Sequence, residues 1–318
     1  MQRLLITRHM PAKVLAAARA HFDVTHYDVD QAMTPAQTRA ALCDFDAILP
    51  TLGDPLNGAA FADLPKFRCS MLANFGVGVN HIDVKAANQA GIAVSNTPGA
   101  VTDATADIAL MLMLMAARRA SEGEAWLRSG NWRGWEPTQL LGLHMSGKTL
   151  GIIGMGRIGK AIARRAHLGF GMQVVFHNRS TVTDPGVPAR QLDSADAVAR
   201  TADIIVVAVP GSPATHHLIG PGFFTAMQPH AVFVNISRGD VVDEHALITA
   251  LQAKSIAGAG LDVYENEPMV PRALRDLANV TLLPHMGTAA LEVRQAMGLM
   301  AVENLIAWSN GQPPPNLV

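Results

Sequence analysis

Cysteine is nearly absent from this chain. Cys43 and Cys69 are the only two in 318 residues, and neither stands in a C-x-x-C pair. That argues against a disulfide framework and fits a reducing, cytoplasmic setting; no metal is expected. An excess of charge of either sign is missing too, with 25 Lys and Arg against 26 Asp and Glu and a formal net charge of −1. Such a balance predicts no general affinity for nucleic acid or for an anionic membrane. No apolar run is long enough to cross a bilayer. The longest, Ile108 to Ala117 between Asp107 and Arg118, is about half of the roughly 20 residues a span requires, and reads as a core helix buried on most sides. The N-terminal Met-Gln-Arg-Leu-Leu-Ile-Thr-Arg-His holds too short an apolar run for a signal peptide.

What the chain does have is apolar side chains, 49% against 16% charged, enough for large cores. Its 318 residues suggest two domains. Short apolar runs at Leu4–Thr7, Phe22–His26, Ala47–Leu49, Met71–Ala73 and Ala93–Ser95 read as strands, with helices at Ala12–Ala20 and from Pro35 towards Cys43. Strands alternating with helices predict a parallel sheet with crossover connections. After the break at Thr97-Pro-Gly99, Thr102 is expected to cap a long helix through Arg119, with Asp103 and Asp107 favoured near its N-terminus by the dipole. Trp126, Trp132 and Trp135 follow, three of the four tryptophans. An interface anchor and burial against the chain's own core are both open for them. The last periodic segment, Ala289–Ser309, is expected to be a helix that packs back on the first domain.

The stretch from Thr149 to Ala166 organises the rest. Leu150–Ile153 reads as a buried strand, Gly154, Gly156 and Gly159 give G-x-G-x-x-G, and Ile158, Ile162 and Ala166 then recur at helical spacing. Strand, glycine turn and helix are the context in which this motif binds a dinucleotide. The first glycine permits the tight turn, the second lets backbone approach a pyrophosphate, and the third lets the helix pack on the strand. Further strands are expected at Gln173–His177, Asp203–Val209, Ala231–Ile236, Ala257–Leu261 and Val280–Leu283. About six strands between residues 149 and 283 match a full doubly wound dinucleotide fold.

Three side chains stand just past strands of that set: Arg238, Glu267 and His285. A cation, a carboxylate and a histidine in one crevice suit reduction of a 2-keto acid. Arginine can hold a carboxylate through a bidentate fork, and histidine can give a proton to the carbonyl oxygen. A neighbouring carboxylate fixes the histidine's tautomer and favours its charged form. Earlier in the chain, Asn74-Phe-Gly-Val-Gly-Val-Asn-His81 follows a strand directly. Local sequence leaves an anion cradle and an ordinary glycine turn equally open there.

These stretches resemble the D-isomer-specific 2-hydroxyacid dehydrogenases. The likeness runs through Asn74–Asn80, Ser95-Asn-Thr-Pro-Gly99, Gly151–Gly159, Asn235-Ile-Ser-Arg-Gly239, Gly260-Leu-Asp-Val263, Asn266-Glu-Pro268 and Leu283-Pro-His-Met-Gly-Thr288, in order over nearly the whole chain. It is nearest to the glyoxylate and hydroxypyruvate reductases. The resemblance implies two doubly wound parallel-sheet domains, a Rossmann nucleotide-binding domain (100–286) inserted in a flavodoxin-like substrate domain (1–99 plus 287–318). It implies Arg238 as the substrate-orienting arginine, His285 as acid/base and Glu267 as its partner. Backbone at Val77 and Gly78 would hold the substrate carboxylate. The cofactor would lie against Thr105, Gly154, Met155, Gly156, Arg157, Ile158, Gly159, Asn178, Arg179, Ser180, Val209, Pro210, Ile236, Ser237, Arg238, Asp262, His285 and Gly287. The family is usually dimeric through residues 101–145, and Trp135 resembles a tryptophan that reaches the partner's site.

NADPH is expected to be preferred over NADH. NAD-specific folds place an acidic residue about 20 residues beyond the glycines, on the ribose hydroxyls. Here no Asp or Glu occurs between Gly159 and Asp184, and His177 is followed by Asn178-Arg179-Ser180-Thr181. Arg179 can pair with a 2′-phosphate, and the hydroxyls can donate to it. Two competing readings remain. One is a non-catalytic dinucleotide-sensing protein of the same fold, against which the lack of long tails and of a basic patch argues. The other is a different dehydrogenase of the family, such as one acting on phosphoglycerate or formate. The first often adds a regulatory domain, and the second usually carries an acidic residue where Arg179 stands.

Overall fold

In the computed structural model, residues 1–62 and 66–318 are described. They divide into two compact units, Met1–Val101 with Thr288–Val318, and Thr102–Gly287. In the first unit β1 (Arg3–Ile6), α1 (Ala12–Arg19), β2 (Asp23–His26), α2 (Pro35–Asp44), β3 (Ala47–Leu49), α3 (Gly58–Phe61), β4 (Met71–Ala73), α4 (Val84–Gln89) and β5 (Ala93–Ser95) succeed one another. The five strands pair in parallel in the order β2-β1-β3-β4-β5. That is the flavodoxin-like winding. β3 and β4 are buried throughout, as strands covered on both faces must be. Proline at the first position and a reciprocal capping box between Thr34 and Gln37 start α2.

The chain returns to this unit as α12 (Leu291–Ser309), which packs on α1 and β4 as the periodicity predicts. Fully buried Asn304 fixes it: its Nδ2 donates to Asn96 O (3.3 Å), and its Oδ1 accepts from Asn316 N–H (3.1 Å).

The second unit opens with α5 (Thr102–Ala117) and α6 (Ala120–Arg128). Thr102 is the first helical residue rather than the cap, and the helix stops at Ala117 rather than Arg119. The reason is local: Arg119 sits at φ 53°, in the left-handed region, and breaks the run before α6. Asp103 and Asp107 are not merely dipole charges, since both bond Arg165 (2.9 and 2.7 Å). Then follow β6 (Thr149–Ile153), α7 (Arg157–Phe170), β7 (Gln173–His177), β8 (Ala189–Gln191), α8 (Ala195–Thr201), β9 (Ile204–Val207), α9 (Pro221–Ala226), β10 (Val232–Asn235), α10 (Glu244–Gln252), β11 (Gly258–Leu261), α11 (Arg272–Arg275) and β12 (Val280–Leu282).

All seven strands run parallel in the order β12-β11-β10-β9-β6-β7-β8. The expected count of six is corrected to seven. β8 has no apolar run to announce it: Ala-Arg-Gln lies at the sheet's edge with nothing fully buried. The fold is therefore two doubly wound parallel sheets, a Rossmann unit inserted in a flavodoxin-like one. Both cysteines are free, and burial pushes the Cys69 thiol up to about 12. No helix among the described residues is long and apolar enough to cross a membrane.

Candidate active site

In the seven-stranded sheet the winding reverses between β6 and β9, and ligands bind such sheets at the strands' carboxyl ends beside that point. The glycine motif lies there. Gly154 adopts φ 100°, which disfavours any side chain, and a Cβ on Gly159 would meet Gly154 O at 2.2 Å. Gly156 caps α7 with open space around its Cβ position. α7 has neither a side-chain cap nor an acidic residue in its first turn, so its first N–H groups have no side-chain partner among the described residues. A backbone cradle with open N–H groups fits the pyrophosphate of a dinucleotide. Met155 N–H donates to Asn178 Oδ1 (3.3 Å) and so ties the turn to the end of β7. Beyond it Arg179, Ser180 and Thr181 are exposed.

The three reactive side chains of the sequence reading converge at the ends of β10, β11 and β12. His285 Nδ1 bonds Glu267 Oε2 at 2.8 Å, which leaves Nε2 as the nitrogen available to a substrate. Burial tends to raise the Glu267 carboxyl. The hydrogen bond and charge of His285, with the Tyr264 N–H and Arg238, outweigh it and hold the carboxyl below its ordinary value. Burial works against the Arg238 guanidinium, and the charges of Glu267 and Asp240 support it. Its Nη1 donates to Ser237 O (2.7 Å), while its buried Nε has no partner among the described residues. An arginine with an unused buried donor suits an incoming carboxylate.

The backbone that presents these groups is tightly specified. A Cβ on Gly239 would fall 1.8 Å from the Tyr264 carbonyl carbon, so only glycine lets the Arg238 loop meet the Glu267 loop. Asn235 Nδ2 donates to Arg238 O (3.0 Å). His285 is held at φ 51°, a region that favours glycine. Two anchors keep it there: Asp262 Oδ1 accepts from Met286 N–H (2.7 Å), and the Tyr264 hydroxyl donates to Leu283 O (2.8 Å). Asp262 is 2% exposed, and burial raises its carboxyl despite those N–H donors. Thr105 Oγ1 reaches Gly287 O (3.3 Å). A cavity of about 310 Å³ opens beside the pair, walled by Tyr264, Glu267, Val270, Leu283 and His285.

Val209, Pro210, Ile236 and Ser237 also fall just past strands β9 and β10. Sequence reasoning did not single out Tyr264, Asn235 or Gly239 for a role, although the last two stand in a quoted stretch. It also missed His217, whose Nε2 bonds Glu265 Oε1 (2.9 Å).

In the first unit Val77 and Gly78 sit on the loop after β4. Asn74 Nδ2 donates to Gly76 O and Gly78 O (both 3.0 Å), and Asn96 Nδ2 to Val77 O (2.8 Å). The loop's carbonyls are thus turned inward, and the N–H groups of Val77 and Gly78 make no bond to the rest of the loop. The tryptophan stretch is not buried in the chain's own core: Trp132 is 46% and Trp135 79% exposed. Trp126 and Trp132 instead line a shallow cavity of about 220 Å³ with Leu127 and Leu140.

Comparison with known proteins agrees with this geometry. Residues 110–287 match the model of the D-isomer specific 2-hydroxyacid dehydrogenase NAD binding domain. The chain is 40% identical over 321 residues to a glyoxylate reductase of Thermococcus gammatolerans, covering 99% of this chain and 95% of that protein. It superposes with a TM-score of 0.87 and 36% identity on the NADPH-dependent glyoxylate/hydroxypyruvate reductase of Sinorhizobium meliloti in complex with NADP and malonate, over 100% of this chain and 96% of that one. The holo form of Rhodotorula graminis D-mandelate dehydrogenase also gives 0.87, at 30% identity, over 100% and 97%.

Proposed function

We propose that this chain, which belongs to the D-isomer-specific 2-hydroxyacid dehydrogenase family, reduces a small 2-keto acid of the glyoxylate or hydroxypyruvate type to the D-2-hydroxy acid. A nicotinamide dinucleotide is its cofactor and supplies the hydride that adds to the carbonyl carbon. The observation that carries the reading is the 2.8 Å pair of His285 and Glu267 beside Arg238, at the carboxyl edge of the sheet that also bears the glycine cradle. His285 gives the proton from Nε2 to the carbonyl oxygen as the carbon accepts hydride. Glu267 keeps the proton on Nδ1 and stabilises the imidazolium before transfer. Arg238 offers its free donors to the substrate carboxylate. In the first unit the backbone N–H groups of Val77 and Gly78 are the proposed donors to a substrate carboxylate. The unit made of both chain ends acts as the substrate domain, and the intervening unit as the nucleotide domain.

NADPH is the preferred form, supported by the exposed Arg179-Ser180-Thr181 run and by the lack of any acidic residue from Lys160 to Thr183. The protein works as a homodimer, supported by the exposed Trp132, Trp135, Leu127 and Leu141 beside α5. Light scattering at micromolar concentration checks this, and a monomer mass refutes it.

The deciding assay follows NADPH and NADH oxidation with glyoxylate, hydroxypyruvate, pyruvate and a bulkier 2-keto acid. Turnover fastest with the two small acids and NADPH is expected. No turnover with any of them returns the chain to a dinucleotide-sensing role.

A further inference from the structure

The loop after β7 is shaped by a side chain from the edge strand that no apolar pattern announces. Gln191 ends β8, where Phe176 pairs with it, and Leu192 N–H donates to Phe176 O (2.7 Å). Its amide makes three bonds to the neighbouring loop. Nε2 donates to Ser180 O (3.1 Å) and Asn178 O (3.3 Å), and Oε1 accepts from Val182 N–H (3.0 Å). The amide's orientation is fixed by this set, because a flip would turn Oε1 against two carbonyls. Asn178 Nδ2 adds a second bond to Ser180 O (3.0 Å).

The carbonyls at 178 and 180 are thereby occupied on the protein side. Among the described residues, no bond uses the N–H groups of Arg179, Ser180 or Thr181. An anion approaching the loop meets N–H groups, hydroxyls and a guanidinium instead of carbonyl oxygens. We propose that Gln191 is a specificity-determining positioning residue: it holds the 178–182 loop in the form that accepts a 2′-phosphate. This rests on the reading that Arg179 and its neighbours take that phosphate. Gln191 touches no cofactor atom in this account, and it sits on a strand, which fixes a loop more firmly than another loop would.

A role in general stability alone would weaken all dinucleotides alike. The positioning role instead weakens ligands in proportion to the 2′-phosphate they carry. Calorimetry with adenosine 2′,5′-bisphosphate and with adenosine 5′-monophosphate separates the two, since these differ only in that group. Gln191→Met keeps the volume and removes all three bonds. It is expected to weaken the bisphosphate about tenfold, the equivalent of one charged hydrogen bond lost, with the monophosphate within about twofold. Gln191→Asn, too short to span the loop, should act in the same direction if the first variant folds poorly. At saturating NADPH, kcat should stay near wild type. Equal loss for both ligands, or no loss for either, overturns the proposal. Wild-type protein that binds both ligands equally overturns the phosphate reading beneath it. Preference that disappears in Arg179→Ala but survives in Gln191→Met overturns the role of Gln191 alone.

Discussion

The two parallel sheets arm their carboxyl edges by different means. The seven-stranded sheet puts ionisable side chains there: Arg238, Asp262, Glu267 and His285 all follow its strands. The five-stranded sheet carries a charged pair past β1 and β3, Arg8 and Asp54 (3.3 Å), but the loop after β4 is neutral backbone, with no charged residue from Asn74 to Asn80 and its carbonyls tied down by Asn74 and Asn96. We propose that the difference separates two jobs, with Arg238 on the charged edge sharing the second. Proton transfer needs a group that gains and loses charge, so it must come from a side chain. Holding a carboxylate needs only N–H groups aimed one way, which a restrained loop provides without the desolvation cost of a buried charge. Removing chemistry from the first edge should therefore cost turnover, and removing restraint from the second should cost substrate affinity.

The largest expected effect lies on the charged edge. His285→Ala should lower kcat by about 10²–10⁴-fold, the range for general acid catalysis, with dinucleotide affinity unchanged. Single-turnover kinetics check this, and a rate within about threefold of wild type denies His285 the proton. A smaller effect belongs to the cofactor loop of the same unit. Arg179→Ala should raise the Michaelis constant for NADPH roughly 10- to 150-fold, as expected for hydrogen bonds to a charged group, and leave NADH nearly unchanged. Equal kcat/KM for the two cofactors in the wild-type protein would remove its basis. Smaller again is the neutral edge. Asn74→Ala removes two bonds to loop carbonyls at a site only 1% exposed. It should raise the Michaelis constant for the keto acid about tenfold with kcat little changed. A loss confined to kcat would erase the division of labour between the edges, and a melting curve separates either result from unfolding.

The same contrast explains what could be read from the chain. The meeting of Arg238, Glu267 and His285 was legible, because each stands within a few residues of the end of an apolar strand run. Gly154, Gly156 and Gly159 were legible because their order between strand and helix has one steric purpose. Backbone restraint was not. Asn74 and Gln191 act through carbonyls brought to them by tertiary pairing, and nothing in their neighbours' identities marks that. β8 escaped for a related reason: three residues with none buried carry no apolar alternation, and only pairing with β7 makes them a strand. The helix α5 was read two residues too long because its break lies in the backbone angle of Arg119, which composition does not encode.

The smallest effect sharpens the comparison most, because it alters one charge and little else. Glu267 has its carboxyl held below the ordinary 4.5, so it stays ionised through the neutral range. A lowered value means that its contribution to stability is present above the ordinary carboxylate range and lost as pH falls through the lowered one. Glu267→Gln keeps an oxygen for Nδ1 but removes the charge. Wild-type protein should therefore lose stability as pH falls through the lowered carboxyl value, and the variant should not share that loss. His285 and Glu267 are 29% and 30% exposed, so water screens the pair and the difference stays small. Melting temperatures followed from neutral to acid pH check this, with the wild-type curve expected to fall more steeply. Parallel curves for the two proteins would mean that a neutral oxygen serves at position 267 as well as a carboxylate. The charged edge would then differ from the neutral one in its histidine alone.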